Sequence, residues 1–123
     1  MYAITIEQNF VATHAVTMPD GQQEKPHHHD WRVRVAVSSH DLDQNNMAID
    51  FIDLKKKLTS ILRPISNKIL EQLTDFPDSG ATAELVAKYI HDSLTQLLPS
   101  RVHLDYTEVM EEHNCWARYR PDN

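Results

Sequence analysis

Residues 27 to 37 read His-His-His-Asp-Trp-Arg-Val-Arg-Val-Ala-Val, an alternation that only an extended strand turns into two distinct faces. His27, His29, Trp31, Val33, Val35 and Val37 fall on one face, and His28, Asp30, Arg32 and Arg34 on the other. Two histidines therefore continue an apolar face. Imidazoles at i and i+2 on one side of a strand can converge on a single cation, and neutral imidazole nitrogen suits zinc better than magnesium or calcium. His28 is assigned to the solvated face.

A third imidazole lies in the opening segment, where Tyr2, Ile4, Ile6, Gln8, Phe10, Ala12 and His14 alternate with polar or small residues. If the two segments pair, His14 meets His27 and His29 at the end of one apolar face. Three histidines leave one zinc position open for water or substrate, whereas structural zinc is usually closed by four protein ligands, often cysteines. The one cysteine of this chain, Cys115, permits neither an intrachain disulfide nor a thiolate cluster, which suits a reducing cytoplasm.

The 123 residues suit one domain, residues 1–123, long enough for a core but short for an enclosed active site, so sites between subunits are expected. Twelve basic against eighteen acidic residues, a net charge of −6, oppose binding to a phosphate backbone, and Lys55-Lys56-Lys57 fan around a helix as a solvated face. No nucleic-acid partner is expected. The first residues lack a basic region followed by an apolar run, and no apolar stretch approaches the ~18 residues of a spanning helix, so no membrane association and a cytoplasmic location are expected.

The alternation predicts strands over 2–14, with a bend or bulge near Gln8-Asn9, and over 27–39, joined by a loop carrying Pro19, Gly21 and Pro26. A polar turn follows up to Asn46. Helical spacing of Phe51, Leu54, Leu58, Ile61, Leu62 and Ile65 predicts a helix capped by Asp50 and ended by Pro64. Ile69, Leu70 and Leu73 form a short piece before the break at 77–80. A second helix starts at Thr82 and directs Leu85, Val86, Tyr89, Ile90, Leu94 and Leu97 inward, stopping at Pro99. Val102, Leu104 and Tyr106 alternate, a parity change near Thr107-Glu108 implies a bulge, and Cys115, Ala117 and Tyr119 make a last strand. The order is ββααββ, an α+β chain of antiparallel pairs with helices available for one sheet face.

Several motifs resemble the 6-pyruvoyl-tetrahydropterin synthase and 6-carboxytetrahydropterin synthase family across nearly the whole chain. Phe10-Val11-Ala12-Thr13-His14 resembles its F-x-A-x-H, and His27-His28-His29 its H-G-H with His28 in place of glycine. Asp50-Phe51-x-x-Leu54-Lys55, Thr82-x-Glu84, Val109-Met110-Glu111-Glu112 and Ala117-Arg118-Tyr119 resemble its D-F-x-x-L-K, P-T-x-E, V-x-E-T and A-x-Y. Order and spacing together carry the resemblance.

The resemblance implies a tunnelling fold, a four-stranded antiparallel sheet with two helices on one face, assembled as trimers stacked into hexamers. It further implies zinc on His14, His27 and His29, and a pterin at a subunit junction. Glu111 would anchor the ring, with Thr82 and Glu84 supporting the pocket. A carboxylate accepts two parallel hydrogen bonds from a pterin's ring N–H and amino group, which gives the anchor a chemical basis.

Two departures direct the functional expectation. Gln23 stands where the family carries the cysteine of C-x-x-x-H-G-H, while Glu24-Lys25-Pro26-His27-His28-His29 resembles the E-x-x-H-G-H of the type III branch. That branch is associated with cleaving dihydroneopterin triphosphate to 6-hydroxymethyl-7,8-dihydropterin. Glu24 is thereby the expected catalytic base of a zinc-dependent pterin side-chain lyase. Ser66-Asn67 stand where the family has an aspartate-histidine pair. The alternatives are a 6-carboxytetrahydropterin synthase-like enzyme, which the missing cysteine opposes, and a hexameric zinc- and pterin-binding homologue without catalysis.

Overall fold

The computed structural model describes residues 1–122. Strands β1 (Tyr2–His14) and β2 (His27–Ser39) are followed by helices α1 (Phe51–Leu62) and α2 (Ala83–Thr95), then by strands β3 (His103–Glu112) and β4 (Cys115–Tyr119). Single 3-10 turns at Arg63–Ile65 and Leu70–Gln72 fill the connection between the helices. The strands form one antiparallel sheet in the order β1-β2-β3-β4. This is the tunnelling fold.

Both helices pack on one sheet face. Ile6, Phe10, Ala12, Trp31, Val33, Val35, Val37, Leu104 and Val109 are buried there against Leu54, Leu58, Leu62, Val86, Ile90 and Leu94. Capping starts both helices where the sequence indicates: the Asp50 carboxylate accepts from the Ile52 N–H and the Thr82 hydroxyl from that of Leu85. Phe51, Leu85 and Leu97 are exposed, contrary to the inward placement their spacing suggested. In α1, Leu54, Leu58 and Leu62 at i, i+4 and i+8 fill the contact, while Phe51, seven residues before Leu58 and on the same face, is the first residue of the helix and stays half exposed. Among the described residues no helix is long and apolar enough to cross a membrane.

The strand irregularities differ from expectation. Pairing of β1 with β2 is continuous from Tyr2↔Ser39 to His14↔His27, without a bulge at Gln8-Asn9. Gln8 stays on the apolar face because α1 satisfies it: its amide donates to the Lys55 carbonyl at 3.2 Å and accepts from the Thr59 hydroxyl at 3.3 Å. The expected bulge at Thr107-Glu108 falls earlier. Ala36 pairs with Tyr106 and Val37 with Leu104, leaving Asp105 as the extra residue. Thr107 and Val109 thus join Leu104 on the buried face, and Tyr106 turns to the helix-free face. A second bulge lies between Met110 and Glu112, where Glu111 is the extra residue.

The helix-free face carries a charge ladder in direct cross-strand register. Arg34 contacts Glu7 on one side at 2.7 Å and Glu108 on the other at 3.2 Å, and Arg118 reaches Glu108 at 3.0 Å. The guanidinium of Arg34 lies over Trp116 and that of Arg118 over Tyr106.

A three-histidine candidate metal centre

Register brings the imidazoles together. His14 lies directly opposite His27, and His29 opposite Ala12, so all three rings rise from the end of the buried sheet face. Ring centroids are 4.8 Å apart for His14 and His27, 5.2 Å for His14 and His29, and 4.6 Å for His27 and His29. One nitrogen from each lies within 4.8 Å of the other two. His28 points to the opposite face, against the Thr13 hydroxyl at 3.2 Å. Trp31 walls the cluster, its indole N–H donating to the Ala12 carbonyl and its ring edge-on to His14 at 5.0 Å.

His14 is fully inside, and its Nδ1 donates to the Ala81 carbonyl at 2.8 Å, which assigns the tautomer and leaves the Nε2 lone pair facing the cluster. That Nε2 and the Glu111 Oε2 are 3.0 Å apart, two acceptors face to face in this tautomer, and both atoms are buried without a hydrogen-bond partner. Unpartnered buried polar atoms beside three converging imidazoles fit a cation, and all-nitrogen donors without sulfur fit zinc with an open position. Burial works to lower the His14 pKa, but Glu111 and the Ala81 carbonyl outweigh it and raise it. Contact with His14 lowers that of Glu111 more than burial raises it. His29 is lowered by burial and by the neighbouring His27.

Glu24 comes from the loop between the two strands. A small antiparallel bridge, Thr17 with Gln23, folds residues 16–24 back on themselves, and Glu24 N–H donates to the Val16 carbonyl at 3.1 Å. Its Oε1 accepts from the Val16 N–H at 3.0 Å and lies 2.9 Å from the His27 Nε2. Partial burial would raise its pKa, but His27 and the Val16 N–H prevail and lower it. Gln23, at the cysteine position, is part of the bridge.

Thr82 caps α2 one residue after the carbonyl that holds His14, and Glu84 is exposed in the first turn. Glu111 also borders a surface concavity of about 270 Å³ lined by Asn9, Asp30, Arg32, Met110 and His113. Ser66 and Asn67 serve the turn after α1. Ser66 donates its hydroxyl to the Leu62 carbonyl, and Asn67, in the left-handed region at φ 61, donates its N–H to Val11.

One participant escaped the sequence reading. Glu71 accepts the Ala15 N–H on Oε1 at 2.8 Å and the Ala81 N–H on Oε2 at 2.6 Å. Its partners are 56 and 10 residues away, so no local spacing signals them.

The sequence profile of 6-pyruvoyl tetrahydropterin synthase matches residues 3–122. The chain belongs to that family. Among curated proteins, the Homo sapiens 6-pyruvoyl tetrahydrobiopterin synthase is 35% identical over 96 residues, covering 76% of this chain and 66% of the human one. An Archaeoglobus fulgidus protein provisionally assigned as a 6-carboxy-5,6,7,8-tetrahydropterin synthase is 25% identical over 119 residues, covering 95% and 94%. Among solved structures, the Caenorhabditis elegans 6-pyruvoyl tetrahydropterin synthase superposes with a TM-score of 0.80 at 20% identity, covering 99% of this chain and 98% of that one. The Plasmodium falciparum enzyme gives 0.74 at 19% identity, covering 96% of each.

Proposed function

We propose that this member of the pterin synthase family is a zinc-dependent pterin side-chain lyase of the type III kind. Its substrate would be dihydroneopterin triphosphate and its product 6-hydroxymethyl-7,8-dihydropterin, formed in the cytoplasm. The observation that carries the reading is a carboxylate, Glu24, set against His27 beside the three-histidine cluster, one residue after Gln23, which stands where the family carries its cysteine. His14, His27 and His29 would hold the zinc. Bound there, zinc supplies Lewis acidity toward the oxygen atoms of the pterin side chain.

The remaining steps belong to this chain's own groups. Glu111, within 3.0 Å of His14, offers its carboxylate to the ring N–H and amino group, which places the side chain over the histidines. Thr82, the residue after the carbonyl that holds His14, and Glu84, in the first turn of α2, would border the approach. Glu24 is ionised at neutral pH, and with Oε1 held by Val16 and His27 its other oxygen is the one to take a hydroxyl proton as the adjacent carbon–carbon bond breaks. Two solved structures of Plasmodium vivax 6-pyruvoyltetrahydropterin synthase, 16% and 18% identical to this chain, carry substitutions of one glutamate described there as a catalytic residue. The assembly would be six chains, a dimer of trimers, with pterin at the junctions.

Two other readings remain in view. A 6-carboxytetrahydropterin synthase-like activity has the Archaeoglobus relative in its favour and the missing cysteine against it. A zinc- and pterin-holding protein without turnover is favoured by Ser66 and Asn67, which serve the turn after α1 where the family's aspartate-histidine pair would stand.

Mass spectrometry of pterins after incubation with the zinc-loaded protein separates them. Wild type should form 6-hydroxymethyl-7,8-dihydropterin, and Glu24→Ala should slow this by about 100- to 10,000-fold while keeping zinc and pterin affinity. Equal turnover removes Glu24 from the chemistry. Inert protein with every pterin tried gives the binding reading, and a 6-carboxy product gives the synthase-like one.

A further inference from the structure

We propose that Glu71 is the positioning residue of the metal centre, holding His14 in its ligating orientation through two backbone amides. This rests on the reading of His14, His27 and His29 as zinc ligands. His27 and His29 stand on one strand, where register alone sets their separation, but His14 must be aimed at them from the last position of β1. The aim comes from Ala81, whose carbonyl takes the His14 Nδ1–H at 2.8 Å. Glu71 fixes both sides of that bond. One oxygen binds the amide of Ala15, the residue after His14, and the other binds the amide of Ala81 itself.

Both amides belong to residues that are buried, Ala15 at 4% and Ala81 at 0% exposure, so neither can turn to water if its acceptor is lost. Two donors require two acceptors, and a carboxylate has them. A side-chain amide has one, so glutamine at this position would leave an NH₂ facing a backbone N–H at Ala15 or at Ala81. Either outcome shifts one end of the bond that orients the ring. The surrounding segments are joined independently, since Thr17 N–H donates to the Ser79 carbonyl at 2.8 Å and Thr13 N–H to that of Lys68 at 2.9 Å. Glu71→Gln is therefore a local perturbation. Outer groups that orient a ligating histidine typically contribute about 10- to 100-fold in metal affinity, and here the carboxylate acts through peptide groups instead of touching the imidazole.

The test uses the full chain, with Zn²⁺ affinity from chelator competition, the visible absorption of the Co²⁺ form, and ¹⁵N spectra of His14 in metal-free protein above the imidazole titration range. Wild type should bind one metal tightly and show a single Nδ1–H tautomer at His14. Glu71→Gln should bind about 10- to 100-fold more weakly, with altered Co²⁺ bands and a mixed tautomer. Glu71→Asp, which keeps two acceptor oxygens, should recover part of the affinity. A folded Glu71→Gln protein with wild-type affinity and spectrum would reduce Glu71 to a loop staple and overturn the proposal, leaving the metal reading intact. Wild type that holds no metal would instead overturn the metal reading, and this one with it. If Glu71→Gln fails to fold, the wild-type spectrum still decides, because two comparably populated His14 tautomers exclude an imposed orientation.

Discussion

His91, far from the histidine cluster, is a buried imidazole whose sign of pH response can be worked out. It is 3% exposed, its Nδ1 lies 3.1 Å from the Thr107 hydroxyl, and Tyr119 meets its ring edge-on. Burial pushes its pKa below 6.5; Asp92 opposes the shift, while His103 and Lys88 add to it. Below pH 6.5 the unfolded chain takes up a proton that folded His91 resists, so its contribution to stability is complete above that pH and is lost as pH falls toward the folded pKa. Thermal melts of wild type should therefore drop more steeply with acidification than those of His91→Gln, and parallel curves would contradict this. The difference between the two proteins is the quantity to read, because His14, with its raised pKa, contributes in the opposite sense over the same range. Residues like His14, His27 and His29 were legible because strand parity is a property of the chain itself. Glu71 was not, because its meaning lies in two amides supplied by distant segments.

Elements were legible where a local rule decides them and illegible where pairing does. Asp50 and Thr82 announce their helices, and both cap as expected. The positions of the two β3 bulges depend on registers with β2 and β4, which alternation within β3 does not reveal. One of them carries Glu111, so the residue expected to hold the pterin sits where the ladder is interrupted, a place where backbone can re-aim a side chain. The connection into α2 has its own constraint at Gly80, with φ 135, where an added Cβ would stand 2.8 Å from the Val16 Cα and 3.0 Å from the Ala15 carbonyl. Both neighbours are backbone, so neither yields cheaply. Gly80→Ala should cost at least about 2 kcal/mol in denaturant unfolding, from strain and overpacking together. Gly21, also at positive φ but with nothing within 4 Å of an added Cβ, should tolerate Asn with a much smaller loss. Equal losses at the two sites would mean that close packing at Gly80 contributes little.

At the scale of the molecule, β1 and β4 are the edge strands of a four-stranded sheet, and residues 67–69 pair with the edge of β1 only at Val11–Thr13. Such edges call for partners. The charge ladder ends in Glu7 on one edge and Arg118 on the other, so a copy joined head to tail would set unlike charges at the seam, whereas β1 against β1 would set like ones. Light scattering at micromolar concentration should give the mass of six chains, and a monomer would remove the junctions that the proposed pterin site requires. The α+β architecture was legible at this scale from the ββααββ order and the tunnelling fold from the family resemblance, but no spacing within one chain specifies what a neighbour brings. The two opposed imidazoles, His14 and His27, bracket residues 15–26 at fixed register. Doubling a loop's length costs only about 0.6 kcal/mol in closure entropy. The segment that presents Glu24 is thus an interchangeable cassette clipped between fixed posts, and reactivity can diversify there while the three histidines and the sheet stay as they are.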